Sequence, residues 1–273
     1  MVTSRIRLGT FVASPNFRHP VPFAREIAAL DDLSDRRLVL GMGSGGTGYD
    51  AAVLGEPELS PRARTDRFVE FVTLLDALLT QPVTTWSGSF SSAIEARTIP
   101  GCVQAPRVPF VVAANGPRSM RLVARYGQSW ATTGDPNRDE GTDWWTAFAG
   151  VCDRFTDVLA EDGCALSTVD RYLQLDAGPG FSMSSVECFR DAVGRAAELG
   201  FTRRGHPLAA TGWPVRGFGA DPGSRRRRGP PGMCVALKLG SSFGAGFGAV
   251  LAAVLPGKDE ATVGQLLDQA VGQ

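Results

Sequence analysis

Between residues 61 and 80 the chain reads "PRARTDRFVEFVTLLDALLT", and Phe68, Phe71, Val72, Leu75 and Leu79 recur every three or four positions. That period predicts an amphipathic helix. The same period marks "PVPFAREIAALDDLS", with Phe23, Ile27 and Leu30 on one stripe and Pro22 early, where a missing N–H is harmless. Further helices are predicted over "PRSMRLVARYG", opened by Pro117, over about 142–161, and over 184–199, with Phe189, Val193, Ala196 and Leu199 aligned. Between them lie short runs: "RIRLGTFV", "RLVLGMG", "PFVVAANG", "QSWATTG" and "RYLQLDAG". These are apolar on both faces, as strands covered by helices on each side are. Strand–helix alternation of this kind predicts a parallel α/β sheet. Residues 82–108, with "TTWSGSFSS" and "TIPGCVQAPRVP", interrupt the alternation as a hairpin or excursion.

After residue 202 no period holds. Residues 1–202 carry 19 basic and 24 acidic side chains, whereas residues 203–273 carry 9 and 4 together with 14 of the 33 glycines. A reversal from net negative to net positive, with a glycine surge, marks a boundary. The chain therefore divides into 1–202 and an irregular tail, 203–273, in which "FGAVLAAVLPG" and "EATVGQLLDQAV" have a composition that permits helix.

Composition narrows the function. Net charge is zero, and the one basic run, Arg225 to Arg228, has neither interleaved aromatics nor a partner helix. Such a run reads as solvated, so no nucleic-acid partner is expected. There is no 18-residue apolar run and no signal peptide, so no membrane is expected either. Five scattered cysteines without C-x-x-C, and two distant histidines, give no disulfide framework and no metal set. A cytoplasmic protein with reduced thiols is the expectation.

In parallel α/β folds ligands gather at the carboxyl ends of the strands. The segments leaving those ends are "ASPNFRHP", "GSGGTGYD", "NGPRS" and "GDPNRDE", mostly rich in residues that admit close backbone approach. "GMGSGG" satisfies G-x-G-x-x-G, yet Gly55, Pro57 and Pro61 interrupt the stretch where a helix should open, so a dinucleotide fingerprint is disfavoured. A glycine-rich loop against another cofactor or a phosphate, or a plain turn, fits instead. "NGPRS" precedes a helix whose first-turn amides form an anion site, with an ordinary βα turn as the alternative. His19 follows the first strand, and a structural role outweighs catalysis for a lone histidine. Asp31 and Asp32 are expected at a helix end or on a solvated face. With no G-x-S-x-G, no H-E-x-x-H and no Ser/His/Asp set in residues 1–202, chemistry carried by a cofactor is the better fit.

The ordered series "LGTFV", "RHPVPFA", "LDDLSDRRLVLGMGSG" and "VPFVVAANGPRSMRLVARYGQSWATTG" resembles the luciferase-like flavin-dependent oxidoreductases, many of which use coenzyme F420. The resemblance implies a TIM barrel, (β/α)8, of which residues 1–202 supply about five strands from the family's third onward. It implies an oxidoreductase or monooxygenase that uses reduced flavin (FMN) or coenzyme F420 on a small organic substrate. Thr10, Phe11 and Val12 would meet the cofactor ring, with a cis peptide between Phe11 and Val12. Gly43 and Ser44 would line the cofactor's side chain, and Ala114, Asn115 and Gly116 would bind its phosphate. No catalytic residue carries over.

The strands not recognised are neighbours around the family's barrel, so impaired activity is expected, along with self-association through open strand edges. The alternative is an inactive fragment that at most binds a ligand or partner. The tail has its own expectation. Encoded as CGA CGT GGT CAC CCA CTG GCC GCG, Arg203 to Ala210 read one base later give Asp-Val-Val-Thr-His-Trp-Pro-Arg, which resembles the family's next strand. A shifted reading frame would account for the lost periodicity and the reversed charge together.

Overall fold

The structure, a computed structural model, describes residues 7–201 except 181 and 183, and the backbone of two further strands at 234–238 and 250–254. Five parallel strands form one sheet in chain order: β1 (Leu8–Gly9), β2 (Leu38–Met42), β5 (Phe110–Ala113), β6 (Ser129–Thr132) and β7 (Asp170–Leu173). Register runs Gly9 to Val39, Gly41 to Val111, Ala113 to Ala131 and Ala131 to Tyr172. The helices between them are α1 (Pro20–Leu33), the single turn α2 (Tyr49–Ala52), α3 (Pro61–Thr80), α4 (Pro117–Tyr126) and α5 (Trp144–Glu161), with α6 (Val186–Glu198) after β7. The excursion is an antiparallel hairpin of β3 (Thr84–Ser87) and β4 (Ser92–Ala96). This is a partial (β/α)8 barrel of five strands, the architecture expected from the sequence.

The core lies between the sheet and its helices. Leu38, Leu40 and Met42 of β2, Phe110 and Val112 of β5 and Trp130 of β6 alternate onto that face and are buried. They meet Phe68, Phe71, Leu75 and Leu78 of α3 and Phe148, Phe155 and Leu159 of α5. Every residue of the predicted α3 stripe is buried. In α1 the stripe differs from expectation. Leu30 is 49% exposed, and its neighbour Asp31 is fully buried. Its carboxylate accepts from the Gln104 backbone N–H at 2.8 Å and from Gln104 Nε2 at 2.7 Å, while Nε2 also donates to the Leu38 carbonyl at 2.8 Å. Asp31 thus pins the segment before β5 to α1, while Gln104 ties it to β2, a contact across 73 residues that the helical period cannot reveal. Asp32 is exposed, as expected.

Helix α6 stops at Gly200, whose φ of 79° suits a residue without Cβ. The Gly200 N–H donates to the Ala197 carbonyl and the Phe201 N–H to that of Ala196, both at 2.9 Å. Phe201 then packs its ring 5.6 Å from Trp130 and 5.2 Å from Phe148. In the tail, β8 (Cys234–Lys238) and β9 (Val250–Val254) pair antiparallel, so the centre of "FGAVLAAVLPG" is strand where composition permits helix. The stretch Arg203 to Ala210 and the segment "EATVGQLLDQAV" lie outside the described residues.

Candidate cofactor site at the carboxyl ends of the strands

The first strand ends in a bulge. Thr10 Oγ1 donates to the Gly41 carbonyl at 2.7 Å, and the Ala13 N–H reaches the same oxygen at 2.9 Å. The Gly43 N–H then returns to the Ala13 carbonyl at 2.9 Å. Residues 10–12 are looped out between these anchors. Phe11–Val12 is cis, as the resemblance implies, and Val12 is 39% exposed. Beneath it lie residues with little or no side chain. A Cβ at Gly43 would come within 2.7 Å of Val12 Cγ2 and 3.5 Å of Ala113 Cβ, and one at Gly41 would strike the Thr10 carbonyl oxygen. Glycine is required at both positions because backbone and Val12 already fill the space.

The loop after β2 carries Gly43, Ser44 and Gly45, the last with φ of 90°. Ser44 is half-buried. No helix opens at the third glycine. The next element is the short α2, so the dinucleotide reading fails on geometry. What holds this loop is Asn16, a residue that carries no motif in the sequence. Its Nδ2 donates to the carbonyls of Gly46 at 3.2 Å and Asp50 at 3.1 Å, and its Oδ1 accepts from Arg67 of α3. Burial is the first cause lowering the Arg67 pKa, with Arg64 adding to it.

At the end of β5 the three predicted residues separate in role. Ala114 is buried and both its backbone groups are used: its N–H donates to the Ala131 carbonyl at 2.9 Å, and its carbonyl accepts from Trp130 Nε1 at 2.7 Å. Ala114 therefore fixes the strand end and has no backbone group left for a phosphate. Asn115 is tied to β6, accepting from Thr132 Oγ1 at 2.8 Å and donating to Thr133 Oγ1 at 2.9 Å. It does not turn back to cap α4. Gly116 is the helix N-cap, no side chain caps α4, and a Cβ at Gly116 would meet open space. The first-turn amides after Pro117 keep their donor character toward whatever occupies that space. Arg118 pairs with Asp66, which ties α4 to α3.

His19 stands outside this cluster. It is exposed, and its Nδ1 accepts from the Val21 N–H at 3.3 Å as the N-cap of α1. Its role is structural.

Comparison with known proteins gives this rim a family. The model of the luciferase-like monooxygenases matches residues 1–150, more than half of the chain. The chain belongs to the luciferase-like monooxygenase family. Among its relatives is an F420-dependent glucose-6-phosphate dehydrogenase of Beutenbergia cavernae, 38% identical over 138 residues, which are 50% of this chain and 40% of that protein. An F420-dependent hydroxymycolic acid dehydrogenase of Mycobacterium tuberculosis is 33% identical over 129 residues, covering 47% of this chain and 35% of the relative. The matches thus span less than half the length of these relatives. Among solved structures, the coenzyme F420-dependent tetrahydromethanopterin reductase of Methanopyrus kandleri aligns with a TM-score of 0.52 at 21% identity, over 63% of this chain and 50% of that one. The monooxygenase RslO1 of Streptomyces bottropensis aligns with a TM-score of 0.51 at 24% identity, over 72% and 56%. These structures establish the shared barrel fold. Among the described residues no helix is long and apolar enough to cross a membrane.

Proposed function

We propose that the rim formed by residues 10–12, 43–46 and 115–119 holds a reduced coenzyme F420 in an oxidoreductase acting on a small organic substrate, with FMN the alternative cofactor. F420 is placed first because the sequence relatives with assigned activities carry it in their names. The observation that carries the reading is the uncapped N-terminus of α4 in the same rim as the Val12 bulge and the Gly43 loop. Such a helix end favours a phosphate through its free amides and its dipole. When bound, the cofactor supplies hydride transfer or, as reduced flavin, oxygen activation.

The chain's own residues then have distinct tasks. Arg118 and Ser119 offer backbone N–H groups to the phosphate. Gly43 and Ser44 let the cofactor's side chain lie against the backbone, and Asn16 keeps their loop in place. Val12 backs the ring with an apolar surface. Quenching of cofactor fluorescence on titration with F420, and separately with FMN, tests this reading. No quenching by either at micromolar protein would end it.

Turnover is expected to be weak or absent, because the parallel sheet among the described residues has five strands where a (β/α)8 barrel has eight. A ligand-binding fragment without catalysis is the second reading, and the five-stranded sheet favours it. Cofactor-dependent turnover at ordinary enzyme rates, about 1–10³ s⁻¹, would exclude it. The tail is proposed to be out of frame from Arg203. Determining the nucleotide sequence across that codon tests this, and a confirmed frame whose residues 203–273 form a strand and helix completing the barrel overturns it.

A further inference from the structure

Helix α3 presents two consecutive residues to two parts of the rim. Asp66 pairs with Arg118 in the first turn of α4, and Arg67 donates through Nη2 to Asn16 Oδ1. Phe68, one position later, is fully buried, so this turn of α3 is held by the core. Asn16 donates through Nδ2 to the Gly46 and Asp50 carbonyls at 3.2 and 3.1 Å. Arg67 thus reaches the glycine loop through a single side-chain amide.

The partner of Arg67 is the unusual feature. A guanidinium fork matches a carboxylate, which is the common partner of a buried arginine. Among the described residues the hydrogen-bond partner of Arg67 is instead a neutral amide, and its Nε is buried without one. Burial and the like charge of Arg64 act against the cation, with Glu56 opposing them. An ion pair therefore does not account for the place of Arg67, but the two-ended chemistry of an amide does. One end accepts and the other donates. With Oδ1 on the guanidinium, Nδ2 faces the two loop carbonyls. A flipped amide would set oxygen against oxygen and N–H against N–H. A charged donor on Oδ1 also polarises the amide and strengthens donation by Nδ2. Gly45 makes room for the arrangement, since a Cβ there would stand 2.6 Å from Asn16 Oδ1.

We propose that Arg67 is a positioning residue of the rim, fixing the orientation of the Asn16 amide and, through it, the path of residues 44–50. Its value to a cofactor rests on the reading of the rim given above. The ordering of the loop does not.

The test is chymotryptic cleavage of the full chain without cofactor, scored by mass after Tyr49, which is 67% exposed at the start of α2. Cleavage there requires local opening of the loop. Arg67→Met is expected to raise the initial rate at least about five-fold, and Arg67→Lys, which keeps a charged donor, to return it to within about two-fold of the parent. Asn16→Asp separates amide orientation from ion pairing. It hands Arg67 a carboxylate yet turns an acceptor onto the Gly46 and Asp50 carbonyls, so cleavage should accelerate as in Arg67→Met. Asp66→Asn, one residue away, should stay within about two-fold of the parent. Parental cleavage in Asn16→Asp, or an equal acceleration in Asp66→Asn, overturns the proposal. If Arg67→Met loses the parent's circular dichroism, the comparison of Asn16→Asp with Asp66→Asn decides. Absence of F420 quenching in the parent sinks the cofactor reading alone, and cleavage rates untouched by Asn16→Asp sink this one alone.

Discussion

The two faces of the same five-stranded sheet are finished to different degrees. On the outer face Leu40, Met42, Phe110, Val112 and Trp130 are each at most 1% exposed, locked beneath α3 and α5. Trp130 stacks on Phe155 at 4.0 Å between ring centroids and spends its indole N–H on the Ala114 carbonyl. On the inner face the same strands present glycine, alanine and valine, and Gly9, Val39 and Ala113 are only half-buried. The outer face is completed by helices adjacent in sequence to each strand. An inner barrel face is completed only by strands from across the barrel. The difference teaches that a run of βα units carries its own outer core, while its lumen is borrowed.

Breaking the outer face should cost most. Trp130→Ala removes a fully buried ring and its hydrogen bond, and a loss of about 3–5 kcal/mol is expected from urea unfolding. A loss under about 1 kcal/mol would show that the outer face is not the core.

Asp31→Ala comes next. It leaves the buried Gln104 backbone N–H without its acceptor and takes one of the two acceptors of its side-chain amide, with a loss of about 1–3 kcal/mol expected. The same unfolding measurement checks it, and Asp32→Ala, on the exposed side, should change stability by less than about 0.5 kcal/mol.

The inner face and rim should answer in binding rather than in stability. Gly43→Val drives side-chain atoms into Val12 and the cofactor side, so F420 quenching is expected to weaken at least about ten-fold, equivalent to 1.4 kcal/mol. Asn16→Ala frees the 44–50 loop and should weaken quenching by about three- to ten-fold through loop ordering alone. Wild-type affinity in both variants would detach the rim from cofactor binding.

The smallest effect separates two thiols on the helices, one buried and one exposed. Burial raises the Cys152 pKa to about 11, so it stays protonated and inert at neutral pH. Cys188, exposed at the start of α6, has its pKa lowered by hydrogen bonds from Ser184 and Ser185. A lowered pKa means more thiolate at a given pH, so Cys188 should be alkylated well before Cys152 at about pH 7.5, as peptide mapping would reveal. Equal rates would mean that the outer layer opens readily.

Much of this was legible in the sequence. Strands apolar on both faces, separated by helices of clean period, can only be a covered parallel sheet, and the sheet's order follows the chain because each βα unit packs on its predecessor. The stops were legible too: Pro at the starts of α1, α3 and α4 and Gly200 at the end of α6. The contacts that hold the rim were not. Asn16 reaches Gly46 across 30 residues and Thr132 reaches Asn115 across 17, and a lone asparagine or threonine carries no signal of its distant partner. Glu70 is another such case. Its carboxylate accepts the N–H groups of Ser89 and Ser91 at 2.8 and 2.7 Å, holding the tip of the β3–β4 hairpin to α3.

The sequence by itself determined the layer of helices and strands, because periodicity and turn chemistry are local and act through neighbouring residues. It also determined which loops leave the carboxyl ends of the strands. Only the tertiary structure decided that Asp31 rather than Leu30 is buried, that His19 is a helix cap, and that Ala114 has its backbone fully spent. Each of those outcomes depends on which groups from remote segments arrive to pair with or crowd a residue. Polar pairing and burial are properties of the assembled surfaces, and no single segment encodes them.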